Sequence, residues 1–319
     1  MNNGFYRAAR HSAAVLVQPW YGGILRLTGP DRISWLQGMV TNDVEKLRPG
    51  EGTYAAHLSA QGKLVGQMTI LIDEAAVWLT LETANAKNVG NVLERMIVME
   101  DVVMEDLTGQ FESIAVLGPS GPAILESWIG KPLQLEKLYD HRALNEDCLQ
   151  IVRDELGFTL WVRSGRSEAI LQELIRLGAT SIDQGTWNTV RIEHGLPIYG
   201  VDIDDTTSLP ELGEKGISYD KGCYIGQEVV ARIKYIGHVN RRFVGLICEG
   251  EAIAEPRSKI RANGKDVGST TSAVLSISLN KAIALGFVNR LAAVAGTKVE
   301  IQSGERTIAA QVSELPMVS

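Results

Sequence analysis

Cysteine is scarce in this chain: it occurs only at positions 148, 223 and 248 of 319 residues. Thiols this few and this far apart do not form the dense disulfide framework of a small secreted domain, so we expect a reducing compartment. They are also too few to hold a four-cysteine iron–sulfur cluster within one chain. No other His or Cys stands at ligand spacing around His194, so no metal site is predicted.

Long apolar runs and excess positive charge are missing too. Apolar runs such as residues 114–117 are short and end in Gly-Pro, so they cannot span a bilayer, and no signal-peptide core is present. The net charge of −7 argues against binding of nucleic acid through a broad basic surface. No Gly-x-Gly-x-x-Gly follows a predicted strand, so the dinucleotide fingerprint is absent. We therefore expect a cytoplasmic protein that binds neither membranes nor nucleic acid.

The length of 319 residues predicts two or three domains, and a weak internal repeat indicates their plan. Residues 23–30 predict a strand ending in Gly-Pro, followed by a helix over 31–40. Residues 112–119 repeat this design before a helix over 124–129. Each unit precedes a strand pair and a helix, predicted over 66–72, 76–81 and 85–96, and then over 148–153, 159–162 and 167–177.

Short returns between the paired strands favour antiparallel hairpins and an α+β fold over one doubly wound sheet. The tail from residue 241 to 319 differs from the rest. Its short Val-, Ile- and Gly-rich strands are separated by Asn-Gly, Ala-Gly and Ser-Gly pairs, which is typical of a small β-barrel or sandwich.

Glu193 is the first candidate site residue. Residues 186–194 predict a helix that ends at Gly195, with Arg191 and Glu193 on different faces. A carboxylate there can accept two parallel hydrogen bonds from a planar donor edge, such as the 2-amino and ring N–H groups of a pterin. The competing interpretation is a solvated glutamate or an ordinary ion pair.

The second candidate is the octapeptide at residues 221–228, with the sequence KGCYIGQE. It places the thiol of Cys223 beside the cation of Lys221, and a neighbouring cation favours the reactive thiolate. Its two glycines permit backbone angles or close approaches that a Cβ atom would block. The competing interpretation is a glycine-rich turn around a buried cysteine.

A locally basic run follows the octapeptide. It comprises Arg232, Lys234, His238, Arg241 and Arg242. It predicts either a cationic rim that receives an anionic tail, such as folyl glutamates or the acidic patch of a partner, or a solvated face with balanced charge.

Several segments together resemble the superfamily of the glycine-cleavage T-protein along nearly the whole chain. They are residues 27–32 with 41–44, the Arg191-x-Glu193-x-Gly195 segment with Asp202, and residues 268–272 with 284–288. The octapeptide in addition resembles the signature of the YgfZ family, the folate-binding branch linked to maintenance of iron–sulfur enzymes.

The resemblance implies an α+β fold of three domains in a ring, two interleaved α+β domains plus a C-terminal β-barrel. We assign residues 1–50 with 142–238 to the first domain, 51–141 to the second and 239–319 to the barrel. The strand and helix over residues 23–40 would pack with the later hairpin and helix over 148–177. In the same way, the strand and helix over 112–129 would pack with the earlier hairpin and helix over 66–96.

The same resemblance implies tetrahydrofolate as the cofactor. Glu193 would hold the pterin, with Arg191, Tyr224 and Gln227 as further cofactor contacts. Cys223 with Lys221 would form the candidate reactive-thiol motif, facing the same central cavity as Glu193.

One departure bears on the reaction. Aminomethyltransferases of the superfamily carry a Gly-Gly-x-x-Asp-Asp segment with an acid near the folate, whereas the matching residues 61–66 here read QGKLVG. Loss of acid–base or electrostatic help of this kind commonly costs about 10² to 10⁴ in rate.

The leading hypothesis is therefore a folate-binding accessory protein for assembly or repair of iron–sulfur clusters, with iron–sulfur enzymes or assembly proteins as partners. The alternative is a tetrahydrofolate-dependent aminomethyltransferase or other one-carbon transferase. A third reading is a folate-binding scaffold without chemistry of its own. We expect a monomer in each case.

Overall fold

The computed structural model describes residues 3–18 and 20–318, which divide into two units. The first unit comprises residues 3–184 and 215–228, and the second comprises 185–214 and 229–318. No helix within these described ranges is long and apolar enough to cross a membrane.

The first unit contains two antiparallel sheets with helices on their outer faces. Its elements in chain order are α1 (Asn3–His11), β1 (Ala14–Gln18), β2 (Tyr21–Thr28), α2 (Arg32–Met39), β3 (Gly52–Leu58), β4 (Leu64–Ile72), β5 (Val77–Glu82), α3 (Thr83–Glu94), β6 (Val103–Asp106), β7 (Phe111–Leu117), α4 (Gly121–Ile129), β8 (His141–Ala143), β9 (Cys148–Asp154), β10 (Gly157–Arg163), α5 (Ser167–Arg176) and β11 (Thr180–Ser181).

The five-stranded sheet has the order β3-β4-β5-β2-β6, and the six-stranded sheet has the order β11-β1-β7-β10-β9-β8. All pairs are antiparallel except β1 with β11. Each sheet packs its own apolar core, and a third cluster that includes Trp78 and Trp161 lies between strands of the two sheets.

The interleaving of the two sheets is confirmed, but the strand that crosses is different from the one expected. β2 pairs with β5 of the hairpin that follows it, and β7 pairs with β10 of its own hairpin. The predicted exchange of whole strand–helix units is therefore wrong. Only β1 enters the sheet built from later residues, where it lies between β11 and β7.

The proposed domain boundaries at residues 50 and 141 consequently do not follow the sheets. β2 lies N-terminal to residue 50 but belongs to the sheet of residues 52–82, and β7 lies before residue 141 but joins the sheet of residues 148–163. Strand pairing between distant segments, and not the local order of the chain, decides which residues share a sheet.

The second unit carries the helix α6 (Gln184–His194), of which all but the first residue belongs to this unit, and the predicted β-barrel. Helix α7 (Gln227–Tyr235) begins with the last two residues of the octapeptide, and its residues are divided between the two units. The remaining elements are a short 3₁₀ turn (Leu209–Glu211), β12 (Arg241–Cys248), β13 (Lys259–Ala262), β14 (Lys265–Ser276), β15 (Lys281–Asn289), β16 (Lys298–Ser303) and β17 (Arg306–Ser313).

The barrel is closed, with the strand order β12-β15-β14-β13-β16-β17 and pairing of β12 with β17. Closure leaves no free sheet edge, and the interior is filled by small and branched apolar side chains. The predicted α+β class with a C-terminal barrel is thus confirmed.

Candidate functional site

Lys221 fastens the octapeptide to the end of α2. Its Nζ atom donates hydrogen bonds of 2.7 Å to the main-chain oxygens of Gln37, Val40 and Asn42. An ammonium group has three N–H donors, and all are used here. The carbonyls at a helix C-terminus are short of partners and attract cations, so this is a favourable position for a lysine.

This contact changes the interpretation of Lys221. Burial lowers the pKa of its ammonium group to about 8, and the Nζ atom also lies 5.3 Å from the centre of the Tyr224 ring. The charge is thus directed at main-chain oxygens and at an aromatic face. Its part in activating the thiol of Cys223 stays a prediction.

Gly226 brings the octapeptide against the turn between β3 and β4. Its φ of +84° is left-handed, and a Cβ atom at this position would lie 2.7 Å from the oxygen of Ser59 and 2.9 Å from the Cβ atom of Leu58. The N–H group of Ile225 donates to the oxygen of Gly38 at 3.2 Å. Only glycine satisfies both the backbone angle and the close approach.

Cys223 lies on the loop that these two contacts hold. All three cysteines are among the described residues, and Cys223 is exposed whereas Cys148 and Cys248 are buried. Burial raises the pKa of the Cys148 thiol to about 12 and that of Cys248 to about 11. A thiol reagent or a partner in solution therefore meets one cysteine of the three, so the buried-turn interpretation does not hold.

Tyr224 and Gln227 are joined by hydrogen bonds where α7 begins, at Gln227. The side-chain oxygen of Gln227 accepts a hydrogen bond from the N–H group of Tyr224 at 3.1 Å, and the N–H group of Gln227 donates to the oxygen of Tyr224 at 3.2 Å. Tyr224 thus contacts both Gln227, through these hydrogen bonds, and Lys221, through its ring. The role of Tyr224 and Gln227 in cofactor binding stays a prediction.

Glu193 lies near the end of α6, where Gly195 with a φ of +73° follows the helix as predicted. Its side chain is completely buried, and Oε1 accepts a hydrogen bond of 2.5 Å from Oγ of Ser276. Its main-chain oxygen accepts hydrogen bonds from the N–H groups of Met317 and Val318 at 2.8 and 3.3 Å. The solvated-glutamate interpretation is therefore wrong.

Arg191 is also buried, and its guanidinium group is engaged inside the second unit. It forms an ion pair of 2.8 Å with Asp202 and donates to the side chains of Asn188 and Ser272 and to the oxygen of Leu196. These bonds tie α6 to the following loop and to β14. A direct contact of Arg191 with a cofactor stays a prediction.

The imidazole ring of His194, the residue after Glu193, lies against its own helix. Nδ1 of His194 lies 2.9 Å from the main-chain oxygen of Val190, one turn earlier in α6. Within the part of the chain that the structure describes, no group of three or more His, Cys, Asp and Glu side chains has an arrangement that could hold a metal ion.

The hairpin that lacks the acids has little room for one of them. A Cβ atom on Gly66 would lie 2.4 Å from Cγ2 of Val89 and 2.9 Å from Nδ2 of Asn85. Nδ2 of Asn85 also donates to the main-chain oxygen of Val65 at 2.9 Å. Helix α3 is thus packed so closely on β4 that a side chain at position 66 would force it to shift.

The basic run is partly paired within the second unit. Lys234 forms an ion pair with Glu214, and Nε of Arg241 lies 3.1 Å from a carboxylate oxygen of Glu211. The cationic-rim interpretation stays a prediction.

Two sets of hydrogen-bond partners of the site residues could not be found from the sequence: Ser276, which donates to Glu193, and the oxygens that accept from Lys221. Ser276 lies just beyond the barrel segment 268–272 that carried the resemblance, and a lone serine at the end of a strand gives no signal. The oxygens that hold Lys221 belong to the main chain, which no side-chain pattern reveals.

The two sheets, the closed barrel and the segments above define the fold of the glycine-cleavage T-protein. A family model described as "GCVT N-terminal domain" matches residues 6–217, and one described as "Glycine cleavage T-protein C-terminal barrel domain" matches residues 241–319. The chain belongs to the glycine-cleavage T-protein family.

Curated relatives and solved structures agree with this assignment. An aminomethyltransferase of Rippkaea orientalis is 28% identical over 88% of this chain and 79% of its own length. A chloroplast protein of Arabidopsis thaliana, named as a transferase without a stated substrate, is 27% identical over 97% of this chain and 72% of its own length. The glycine-cleavage aminomethyltransferase of Bartonella henselae superposes with a TM-score of 0.89 at 20% identity, covering 99% of this chain and 89% of that structure, which shows the same fold.

Proposed function

We propose that this protein binds tetrahydrofolate and acts as an accessory protein of the YgfZ type, supporting the assembly or repair of iron–sulfur clusters through the thiol of Cys223. The observation that carries the proposal is the exposure of Cys223 on a loop fastened by Lys221 on one side and by Gly226 on the other. A loop held in this way keeps its thiol in one place without burying it.

The buried carboxylate of Glu193 supports folate binding. Ser276 donates to it, so Oε1 is presented as a hydrogen-bond acceptor, and a pterin offers a planar edge of donors. Removal from water strengthens such hydrogen bonds. The residues therefore fit the group: Glu193 would hold the pterin, and tetrahydrofolate would supply one-carbon carrier chemistry when bound.

The β3–β4 hairpin argues against glycine cleavage as the main activity. Val65 and Gly66 stand where the superfamily segment has its acids, and the packing of α3 resists any side chain at position 66. Without that carboxylate, an aminomethyl transfer would lose about 10² to 10⁴ in rate. The exposed thiol of Cys223 is then the candidate reactive group.

The iron–sulfur connection rests on the resemblance of the octapeptide to the YgfZ signature and on the chemistry of the residue at its centre. A thiolate is both a nucleophile and a ligand for iron. We propose iron–sulfur enzymes or their assembly proteins as partners, and a monomer in the cytoplasm as the working form. The net charge of −7 supports a protein that does not bind nucleic acid.

A tetrahydrofolate-dependent aminomethyltransferase is the second candidate, because relatives that match 88% and 97% of this chain carry that name. Formation of methylene-tetrahydrofolate from an aminomethyl donor measures it directly. Turnover by the purified protein would support the second candidate, and bound folate without turnover would reject it.

Two experiments test the leading proposal. Titration calorimetry with tetrahydrofolate should show binding to the native protein and a loss of at least about tenfold in affinity for Glu193→Gln, since a hydrogen bond to a charged group contributes about 1.5–3 kcal/mol. Equal affinities would remove Glu193 from the site.

The thiol is tested in cells that lack this protein. Cys223→Ser should fail to restore the activity of iron–sulfur enzymes, whereas Asp220→Ala, an exposed residue of the same loop, should restore it. Full restoration by Cys223→Ser together with folate binding would leave a folate-binding scaffold instead.

A further inference from the structure

Ser276 ends β14 and reaches the carboxylate of Glu193 from the barrel. Both side chains are completely buried, and Oγ of Ser276 donates to Oε1 of Glu193 at 2.5 Å. The contact joins residues 83 positions apart in the sequence. Ser276 therefore contacts the carboxylate of Glu193 directly, although it is part of the barrel.

The direction of this hydrogen bond is set by a third group. The N–H group of Leu279, in the turn after β14, donates to Oγ of Ser276 at 3.1 Å. A main-chain N–H can only donate, so the Ser276 oxygen accepts there and its single proton points to Glu193. The chain of bonds from Leu279 through Ser276 thus ends on Glu193 and requires an acceptor at Oε1.

The main chain of Glu193 is held from the same unit. Its oxygen accepts from Met317 and Val318, and a Cβ atom on Gly195 would lie 2.6 Å from the side chain of Leu315. Both the backbone and the carboxylate of Glu193 are therefore restrained before a ligand binds. Binding then costs less conformational entropy of the Glu193 side chain.

We propose that Ser276 is a positioning and specificity residue: it holds Glu193 as an acceptor and so selects ligands that present a donor edge. The proposal rests on the proposed folate site at Glu193. A ligand with an amino group on the pyrimidine ring satisfies the carboxylate, and one with a methyl group in its place leaves the buried carboxylate without that partner.

The test compares two probes, folinic acid and its analogue with a methyl group in place of the 2-amino group. Ser276→Ala should weaken the binding of folinic acid by about tenfold and reduce the preference for the 2-amino probe by a similar factor. Ser276→Cys, which retains the size but donates weakly, should lie between the native protein and Ser276→Ala.

Ser303→Ala is the matched control. Ser303 is a buried barrel serine whose Oγ atom accepts from the N–H group of Glu255 at 2.9 Å, so its loss removes one hydrogen bond away from Glu193. It should leave both affinities within about twofold of the native values. If Ser276→Ala and Ser276→Cys behave like this control, the proposal is wrong.

A double variant separates positioning from general destabilisation. If Ser276 acts through Glu193, Glu193→Gln with Ser276→Ala should bind no more weakly than Glu193→Gln alone, whereas independent effects would add. Native-like affinity of Glu193→Gln would overturn the folate site itself. Loss of affinity in Glu193→Gln with none in Ser276→Ala would overturn only the inference about Ser276.

Discussion

Gly226 approaches the main-chain oxygen of Ser59 so closely that a Cβ atom at residue 226 would lie 2.7 Å from it. The approach joins the loop of the exposed thiol to the hairpin that lacks the superfamily acids. A left-handed φ of +84° makes glycine necessary for a second reason. Gly226 therefore allows the octapeptide to pack against the turn between β3 and β4.

Gly226→Ala should accordingly destabilise the protein by about 2–4 kcal/mol, from backbone strain and the contact with Ser59 combined. Gly222→Ala is the control, because a Cβ atom there meets nothing within 4 Å and the φ of Gly222 is not left-handed. Urea unfolding and limited proteolysis of the loop measure both variants. Equal stability and equal proteolysis of the two variants would show that the packing of the octapeptide does not depend on Gly226.

Alkylation should distinguish the three cysteines. Iodoacetamide on the native protein at neutral pH should add one group, at Cys223, because Cys148 and Cys248 are buried and their pKa values are raised by burial. Mass spectrometry of the digest locates the adduct. Cys223→Ser should take up none, and the native sequence in urea should take up three; rapid labelling of Cys148 in the folded protein would contradict the structure.

Lys221→Met should cost about 3 kcal/mol of stability, because it retains the side-chain length but leaves three carbonyl oxygens without their donor. Lys46→Met provides the comparison: Lys46 is exposed and forms an ion pair with Asp43 at 2.6 Å. That variant should unfold at nearly the native urea concentration. A small effect of Lys221→Met would mean that water replaces the ammonium group without cost.

Asp154 should make stability depend on pH. Burial raises the pKa of its carboxyl group from 3.8 to about 6, against the hydrogen bonds it accepts from Thr159, Leu156 and Gly157. Between these two pH values the folded state binds more protons than the unfolded state. Its contribution is therefore complete below about pH 3.8 and is lost as the pH rises through 6.

The expected size of this loss is about 1–2 kcal/mol, because partial solvent access weakens the effect of a shift of this size. Urea unfolding of the native protein and of Asp154→Asn between pH 4 and 7 measures it, since subtracting the two curves removes the titrating groups that do not interact with Asp154, whose coupled neighbour is Glu155. A difference that stays constant with pH would contradict the assignment.

The local elements could be predicted closely from the sequence. Residues 148–153 and 159–162 were expected as strands and extend over Cys148–Asp154 and Gly157–Arg163, with the tight return that their turn residues indicate. Hairpins depend on neighbouring residues, so their pattern is visible in a short window. Helix α1 (Asn3–His11) was not predicted.

Long-range relationships could not be predicted. The expected exchange of whole strand–helix units was wrong because β1 and β2 are both short apolar strands, and nothing in their sequence states which sheet each joins. The same limit applies to the site. Cys223 and Lys221 were found through their motif, but the oxygens that bind Lys221 are about 180 residues away and carry no side-chain signal.

The crossing of β1 also constrains the order in which the chain can fold. β1 pairs with β7, whose residue Leu117 meets Ala14 across 103 positions of sequence, and with β11, where Thr180 meets Ala14. During synthesis, β1 can therefore pair only after the residues of β7 and β11 have left the ribosome. The five-stranded sheet of β2–β6, which lie between β1 and β7 in the sequence, can form before that. Pairing at such separation slows folding, so we expect β1 to be captured last, as the step that turns two partly formed sheets into one cooperative unit.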